Sequence, residues 1–356
     1  MRKFTGLPAM ALLICAALAL AGCSGSSGSS AKSSASASAS AAPGADTAAT
    51  SDLQAAYQRV VKNVLPSVVQ ITTTSDLGSG IVYDDKGHIV TNAHVVGNAK
   101  SFKVTLVNSH TPLDATLVSS YPAQDLAVIA LSNPPKGLRA ATFGDSSKVE
   151  VGQITLAMGS PLGLSGSVTQ GIVSALGRTV SESGSGGGTG ATISNMVQTS
   201  APINPGNSGG ALVNLASQVI GIPTLAATEP GLSEATAAGI GFAIPASTVT
   251  KIASQIVKSG KVTESGRAAL GITGRTVLND DFEAAGVAVV SVTKGGAAAK
   301  AGIQVGDIIT KVGDSPVTTI ESLSEALATY APGDKAAVTF DRGGTTKTVT
   351  VTLGQL

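Results

Sequence analysis

The sequence predicts a mainly β protein with two folded parts that follow an export signal and an unstructured tether. Three observations support this class. Residues 53–260 contain many short β-branched runs separated by turn signals. Residues 264–356 contain further strand patterns, one helix from about Ile320 to Thr329 and three Gly-Asp turns. Residues 24–50 are almost entirely Ser, Ala and Gly, a composition that cannot bury enough apolar surface to fold.

Residues 1–22 have the features of a bacterial lipoprotein signal peptide. Met1-Arg2-Lys3 form a charged start, and the apolar run at 9–20 is shorter than the roughly 20 residues that span a membrane. The segment 20–23, Leu-Ala-Gly-Cys, resembles the lipobox in which the cysteine is lipidated and becomes the new N-terminus. A cleavable signal with an incidental cysteine is the alternative. We expect a lipid anchor on Cys23 and an extracytoplasmic protein held at the membrane of a bacterial cell envelope.

The composition argues against several kinds of function. Lys and Arg number 23 against 22 Asp and Glu, and charged residues make up only 13%, so the chain lacks the clustered positive charge of a nucleic-acid binder. The two cysteines are Cys15, which leaves with the signal, and Cys23. With Cys23 acylated, the exported part has no disulfide and no cysteine metal ligand. We expect neither a metal nor a cofactor.

Residues 23–52 are predicted to be a flexible tether with an end-to-end distance of roughly 30 Å. From Leu53 to Val64, apolar residues recur at the spacing of one helical face, and Pro66 ends the pattern. The runs that follow predict antiparallel strands, arranged as a sandwich or as a pair of barrels. Residues 181–190 predict a mobile Gly-rich surface loop. A helix near 252–258 leads to Ser259-Gly260, where we place the end of the first domain.

Residues 204–210, Asn-Pro-Gly-Asn-Ser-Gly-Gly, carry the strongest chemical signal in the chain. Glycines permit positive φ values and close backbone approach, so such a turn can expose a serine Oγ atom. It can also direct backbone N–H groups at the point where negative charge develops on a substrate carbonyl. This pattern predicts Ser208 as a nucleophile. A Gly/Asn turn between two strands is the alternative.

A nucleophilic serine needs a histidine base and a carboxylate that orients the base. Among the three histidines, His94 lies at the end of a predicted strand in Thr-Asn-Ala-His-Val-Val, whereas His88 and His110 suit structural or solvated roles. Asp125 opens the apolar strand Asp-Leu-Ala-Val-Ile and is therefore placed for partial burial beside a histidine. A turn residue at the start of a strand is the alternative for Asp125.

Thr-Asn-Ala-His-Val-Val, Asp-Leu-Ala-Val-Ile and Gly-Asn-Ser-Gly-Gly, in this order, resemble the HtrA/DegP family of envelope serine proteases. The resemblance implies a chymotrypsin-like double β-barrel. It makes Ser208 the nucleophile, His94 the general base and Asp125 the residue that orients His94. It also implies an oxyanion hole formed by the backbone N–H groups of Gly206 and Ser208.

The same resemblance implies the residues that bind substrate. Ile203 is expected at the base of an S1 pocket for small or medium apolar side chains. Gly241, Phe242 and Ala243 are expected to form the strand that pairs with the substrate backbone.

Residues 264–356 resemble a PDZ domain of the HtrA type, which is a small α/β fold. Leu270, Gly271 and Ile272 match the carboxylate-binding loop of such domains, and residues 302–309 match a recognisable strand region. Successive N–H groups in a Gly-containing loop form an anion site, and a groove between a strand and a helix accepts an extended peptide. A plain α/β accessory domain is the alternative.

The resemblance implies an ATP-independent serine endopeptidase that degrades misfolded or damaged exported proteins. C-terminal peptides bound to the PDZ domain would regulate it, with the loop at 181–190 relaying the signal and Gly206 changing conformation. A homotrimer is also implied, with Tyr57 as a candidate contact. A peptide-binding, chaperone-like scaffold with an inactive protease domain is the competing hypothesis. An esterase is disfavoured because Ser208 lacks the Gly-x-Ser-x-Gly elbow.

Overall fold

The computed structural model describes residues 45–74, 76–107, 109, 111–160, 166–181, 189–204, 206–228 and 236–356. The predicted signal peptide, Cys23, most of the tether and the centre of the Gly-rich loop at 181–190 lie outside these residues. Residues Ala48–Leu356 form one compact unit. Within the described ranges, no helix is both long and apolar enough to cross a membrane.

Helix α1 (Ala45–Val64) leads into the first barrel, and a 3-10 turn at Leu65–Ser67 ends it at the predicted proline. The helix begins earlier than the predicted start at Leu53. Val60 and Val64 are buried, which agrees with the helical spacing of the apolar residues because positions four apart share one face.

The first barrel is closed and antiparallel. Its strands are β1 (Val68–Thr72), β2 (Leu77–Val82), β3 (His88–Thr91), β4 (Ser101–Leu106), β5 (Leu113–Tyr121) and β6 (Leu126–Leu131). They follow the order β1-β2-β3-β6-β5-β4 around the barrel. A one-turn helix, α2 (Ala93–Val96), follows β3, and a 3-10 turn (Pro122–Gln124) joins β5 to β6.

The second barrel repeats this arrangement. Its strands are β7 (Ile154–Gly159), β8 (Ser167–Ser181), β9 (Thr192–Thr199), β10 (Ala211–Val213), β11 (Val219–Thr228) and β12 (Thr236–Pro245), in the order β10-β11-β12-β9-β8-β7. Helix α3 (Ala246–Ser259) follows the last strand and ends at Gly260. Of the two predicted arrangements, the pair of barrels is therefore confirmed and the sandwich is wrong.

The apolar residues divide into clusters that explain why most strands carry continuous β-branched runs. One cluster consists of residues from the first barrel and α2, such as Val69 and Ile71, and another of residues from the second barrel and its loops, such as Leu212. A larger cluster combines both barrels with α1 and α3 and includes Val68 and Ile256. Since successive side chains of a strand point to opposite faces, Val68 and Val69 enter different clusters.

Residues 264–356, called the C-terminal unit below, have their own apolar cluster around Phe340. The C-terminal unit consists of β13 (Ala268–Ala269), β14 (Ile272–Leu278), β15 (Ala284–Val292), α4 (Ala297–Lys300), β16 (Ile308–Val312), β17 (Ser315–Pro316), α5 (Ile320–Ala328), β18 (Lys335–Arg342), β19 (Thr345–Thr352) and β20 (Gly354–Gln355). Its main sheet has the order β14-β15-β16-β18-β19, and β13 pairs with β20. The predicted helix after Ile320 is confirmed as α5.

Candidate active site

The predicted nucleophile, Ser208, lies in a tight turn between β9 and β10. Gly206 has φ +101° and Gly209 has φ +81°, values in the region that favours glycine. At Gly209 a Cβ atom would lie 2.1 Å from the carbonyl oxygen of Ser79, so the close approach also requires glycine. The turn therefore has the tight geometry that its glycine-rich sequence predicts.

Asp125 and His94 are brought together by the loops that join the strands of the first barrel. Asp125 is fully buried and follows the 3-10 turn in a left-handed conformation, with φ +48°. Its Oδ1 accepts a hydrogen bond from the backbone N–H of His94 at 2.9 Å, and its Oδ2 lies 2.9 Å from His94 Nδ1. The side-chain amide of Asn92 donates to the backbone carbonyl of Asp125 at 3.0 Å.

These contacts fix how the imidazole of His94 can act. A buried carboxylate must be hydrogen-bonded, so the Nδ1 atom that faces Asp125 carries the proton. The Nε2 atom of the neutral ring is then an acceptor and can take a proton from a hydroxyl group.

Thr224 of β11 connects the carboxylate to the serine and was not predicted from the sequence. Its hydroxyl donates to Asp125 Oδ2, and its backbone carbonyl oxygen lies 3.4 Å from Ser208 Oγ. One residue of the second barrel thus contacts both Asp125 of the first barrel and Ser208. A threonine within a strand gives no signal by which sequence reasoning could have singled it out.

His88 makes a similar contact but lies apart from Ser208. Its Nδ1 is 2.7 Å from Asp84 Oδ2. Both side chains are partly exposed, with Asp84 in the turn after β2 and His88 at the start of β3. The structural role predicted for His88 agrees with this position. His110 lies outside the described residues.

Ile203 and Gly241, two of the predicted substrate-binding residues, lie in direct contact. Ile203 is buried, and a Cβ atom at Gly241 would lie 2.4 Å from its Cγ1 atom. Within the part of the chain that the structure describes, no group of three or more His, Cys, Asp and Glu side chains could hold a metal ion.

The predicted role of Gly241, Phe242 and Ala243 in pairing with the substrate backbone is wrong. Gly241 pairs with Thr199 of β9 and with Ala226 of β11, and the next two residues continue both registers. A strand with a neighbour on each edge has no free row of N–H and C=O groups for a third strand.

The predicted carboxylate-binding loop lines a cavity of about 560 Å³ between β14 and α5. The carbonyl oxygens of Leu270 and Gly271 accept hydrogen bonds from Ala298 and Thr293. Because the N–H of a trans peptide points opposite to its C=O, the amides of Gly271 and Ile272 point the other way. Leu323 and Leu327 of α5 supply apolar lining, so the cavity suits an apolar C-terminal residue with its carboxylate.

Residues of the barrels complete the wall of this cavity. Pro122 and Ala123, in the turn that precedes Asp125, line it together with Arg267. The guanidinium of Arg267 donates to the Ala123 carbonyl at 2.5 Å, and burial lowers the pKa of this guanidinium below its ordinary value. The Gln124 side chain donates to the Ser265 carbonyl at 3.5 Å.

Comparison with known families gives two matches along the chain. Residues 78–222 match the trypsin-like peptidase domain, and residues 268–353 match the PDZ domain. The chain is 39% identical over 315 residues to serine protease PepD of Mycobacterium tuberculosis, which covers 84% of this chain and 66% of PepD. It is 41% identical over 287 residues to periplasmic serine endoprotease DegP of Escherichia coli, which covers 78% of this chain and 57% of DegP. The chain thus spans less than two thirds of the length of either relative.

Solved structures of serine proteases are also similar to this chain. A serine endoprotease from Yersinia pestis has 34% identity and a TM-score of 0.55, and the match covers 84% of this chain and 98% of that chain. The HtrA-type protease AlgW with a tripeptide has 33% identity and a TM-score of 0.55, and the match covers 84% of this chain and 97% of AlgW.

Proposed function

Because this chain belongs to the HtrA/DegP family of serine proteases, we propose that it is a serine endopeptidase in which Ser208, His94 and Asp125 form the catalytic triad. The observation that carries this proposal is the convergence of His94 and Thr224 on the buried Asp125 carboxylate beside the Ser208 turn. Such an arrangement has little structural purpose, since it places a charge in an apolar interior.

In the proposed reaction, Ser208 Oγ attacks the carbonyl carbon of the scissile peptide bond while His94 Nε2 accepts its proton. Asp125 stabilises the imidazolium that forms, and the N–H groups of Gly206 and Ser208 donate to the oxyanion. His94 then protonates the leaving amine. Water attacks the acyl-enzyme in the same way and releases the second product.

Substrate binding is proposed at strand β11 rather than β12. Strand β10 pairs with β11 only between Val219 and Gly221, and Thr224, farther along β11, lies next to Ser208. The part of β11 that follows Thr224 can therefore receive an extended substrate segment as an added strand. Ile203, packed on Gly241, would give the adjacent S1 pocket an apolar base.

The location, substrates, regulation, lipidation and oligomeric state that the sequence predicts stay part of this proposal. The relatives named periplasmic endoproteases support an extracytoplasmic location. Misfolded or damaged exported proteins as substrates and cleavage without ATP stay predictions from the sequence. The cavity at the Leu270 loop supports regulation by C-terminal peptides. Lipidation of Cys23 is tested by mass spectrometry of the mature N-terminus. A homotrimer through Tyr57 is tested by sizing the protein without its tether.

Casein digestion by the wild-type protein and by Ser208→Ala tests the proposed activity. We expect the wild type to degrade casein and the variant to lose this activity while keeping the same melting temperature. Equal digestion by both proteins would assign the activity to a contaminant or another residue. The absence of digestion by either, together with suppression of casein aggregation, would favour the chaperone-like scaffold.

A further inference from the structure

Ser79 of β2 makes contacts that no requirement of the first barrel explains. It is fully buried, and its backbone N–H donates to the carbonyl of Ser208 at 2.9 Å. Its hydroxyl donates to the carbonyl of Gly206 and accepts a hydrogen bond from the backbone N–H of Ser160 at 2.8 Å. Every one of these partners belongs to the second barrel or its loops.

Two of the partners of Ser79, Gly206 and Ser208, are the residues whose amides are proposed to form the oxyanion hole. Gly206 and Ser208 each place their carbonyl oxygen on Ser79, one on its hydroxyl and one on its N–H. Thr91 in turn fixes Ser79, because its hydroxyl donates to the Ser79 carbonyl at 2.6 Å. The nucleophile turn is therefore attached to a rigid strand of the other barrel.

The attachment matters most at Gly206. This residue has φ +101° and no side chain, so rotation about its backbone bonds is restricted only by its neighbours and by hydrogen bonds. Removal of the Ser79 hydroxyl would leave the buried carbonyl of Gly206 and the N–H of Ser160 without this partner. Because an unpaired buried polar group is costly, the turn would rotate to satisfy the Gly206 carbonyl elsewhere. That rotation would also redirect the Gly206 N–H.

We propose that Ser79 is a positioning residue for the oxyanion hole. By binding the carbonyls of Gly206 and Ser208, it holds the N–H groups of these two residues in place. The expected change in kcat rests on the proposed protease function, whereas the expected change in hydrogen exchange at residues 206–210 does not. Glycines at positions 78 and 80 support this positioning role. A Cβ atom at Gly78 would lie 2.6 Å from Val95, and one at Gly80 would lie 2.6 Å from Ile89, so the Gly-Ser-Gly sequence lets Ser79 sit deep in the packed interior.

The test compares Ser79→Ala with the wild type in the full-length protein. We expect kcat on a chromogenic peptide to fall by about 10- to 100-fold with KM changed less than about threefold, since the hole acts on the transition state. Affinity for a peptide boronate, whose tetrahedral adduct places an oxygen in the hole, should fall by a similar factor. Hydrogen exchange in the peptide that covers residues 206–210 should accelerate.

Thr155→Val is the matched control. Thr155 is also fully buried in a strand, and its hydroxyl forms a 3.0 Å hydrogen bond with Thr199 Oγ1, away from the nucleophile turn. We expect this variant to lose stability without a change in kcat, boronate affinity or exchange at residues 206–210. Equal effects of the two substitutions, or a kcat for Ser79→Ala within threefold of the wild type, would overturn the proposal.

Two further outcomes are decisive. If Ser79→Ala does not fold, Ser79→Cys, which keeps a weak donor of similar shape, is measured instead with the same expectations. Failure of both variants to fold would make the hydroxyl a requirement of the fold and would reject a positioning role. If the wild type cleaves neither casein nor the peptide, the protease function fails, and hydrogen exchange at residues 206–210 alone then decides the role of Ser79.

Discussion

At the scale of single residues, the carboxylate of Asp125 explains most of the geometry of the site. It is fully buried and accepts hydrogen bonds from the backbone and ring of His94 and from Thr224. Hydrogen bonds to a buried charged group are worth about 1.5–3 kcal/mol each, because the low surrounding polarity strengthens them. The three donors together keep a negative charge in the interior and hold the imidazole in one orientation.

Substitution of Thr224 tests this account. We expect Thr224→Val to lower kcat/KM by about tenfold, because the Asp125 carboxylate loses one of its donors while its contacts with His94 remain. Thr224→Ser keeps the hydroxyl and should stay within about threefold of the wild type. Steady-state kinetics on a chromogenic peptide measure both variants. A loss of equal size in both would show that packing of the methyl group, not the hydrogen bond, is responsible.

The two described His–Asp pairs allow a second test at this scale. We expect His94→Ala to lower kcat by about 10⁴-fold or more, since it removes the base of the proposed triad. His88→Ala removes a contact of similar length that is partly exposed and should leave kcat unchanged. Peptide cleavage by the two purified variants provides the comparison. A similar loss in both would contradict the assignment of the base to His94.

His94, Asp125 and Ser208 could be predicted from the sequence because each lies in a short motif of chemically distinctive residues. Thr224 and Ser79 could not, since Ser and Thr occur in many strands for reasons of packing. Their roles arise from partners 99 and 127 positions away in the chain. Only the closure of the two barrels against each other brings these partners together.

At the scale of elements, the strands were predictable and their neighbours were not. β-branched runs and turn signals gave most strand positions, but the pairing of β12 on both edges depends on contacts between distant segments. The misplaced substrate strand is a consequence of this. The early start of α1 has a local cause, since Ala45–Thr50 contains alanines, which favour helix without adding to an apolar pattern.

The ion pair of Asp307 and Arg342 gives a prediction for the C-terminal unit. Asp307, just before β16, is buried, and Arg342 at the end of β18 binds its carboxylate through Nε at 2.6 Å and through a second nitrogen at 2.7 Å. Burial alone would raise the pKa of Asp307. The hydrogen bonds from Arg342 and from the backbone N–H of Gln304 outweigh burial, so the pKa of this carboxyl lies below its ordinary value.

A lowered pKa in the folded state means that this contribution to stability is complete above the ordinary pKa of about 3.9 and is lost as the pH falls through the folded value. We expect Asp307→Asn to lower the unfolding midpoint of the C-terminal unit at pH 7 by about 5–10 °C and to reduce the loss of stability below pH 4. Scanning calorimetry of the full chain between pH 3 and pH 7 measures both effects. Asp314→Asn, which removes a fully exposed partner of Lys311, is the control and should change neither.

At the scale of the whole molecule, the cavity at the Leu270 loop and the proposed triad share a segment of chain. Pro122 and Ala123 line the cavity, and Asp125 follows them after one residue. Arg267 and Ser265 bind this segment from the C-terminal unit. A second contact joins Ser181, at the end of β8, to Glu325 of α5 at 3.1 Å. We therefore expect occupation of the cavity to affect residues that lie next to the Asp125 carboxylate and the strand that enters the Gly-rich loop.

This arrangement predicts that peptides with a free C-terminal carboxylate change the protease activity. We expect a peptide that ends in an apolar residue to raise the rate of chromogenic peptide cleavage by about 5- to 100-fold, the range of common coupling energies. The same peptide with a C-terminal amide is the matched control and should have little effect, because the amides of Gly271 and Ile272 then face no negative charge. Leu327→Glu places a carboxylate in the cavity and should remove the stimulation while leaving the basal rate unchanged. Equal stimulation by the acid and the amide, or full stimulation of Leu327→Glu, would show that the activating site lies elsewhere in the molecule.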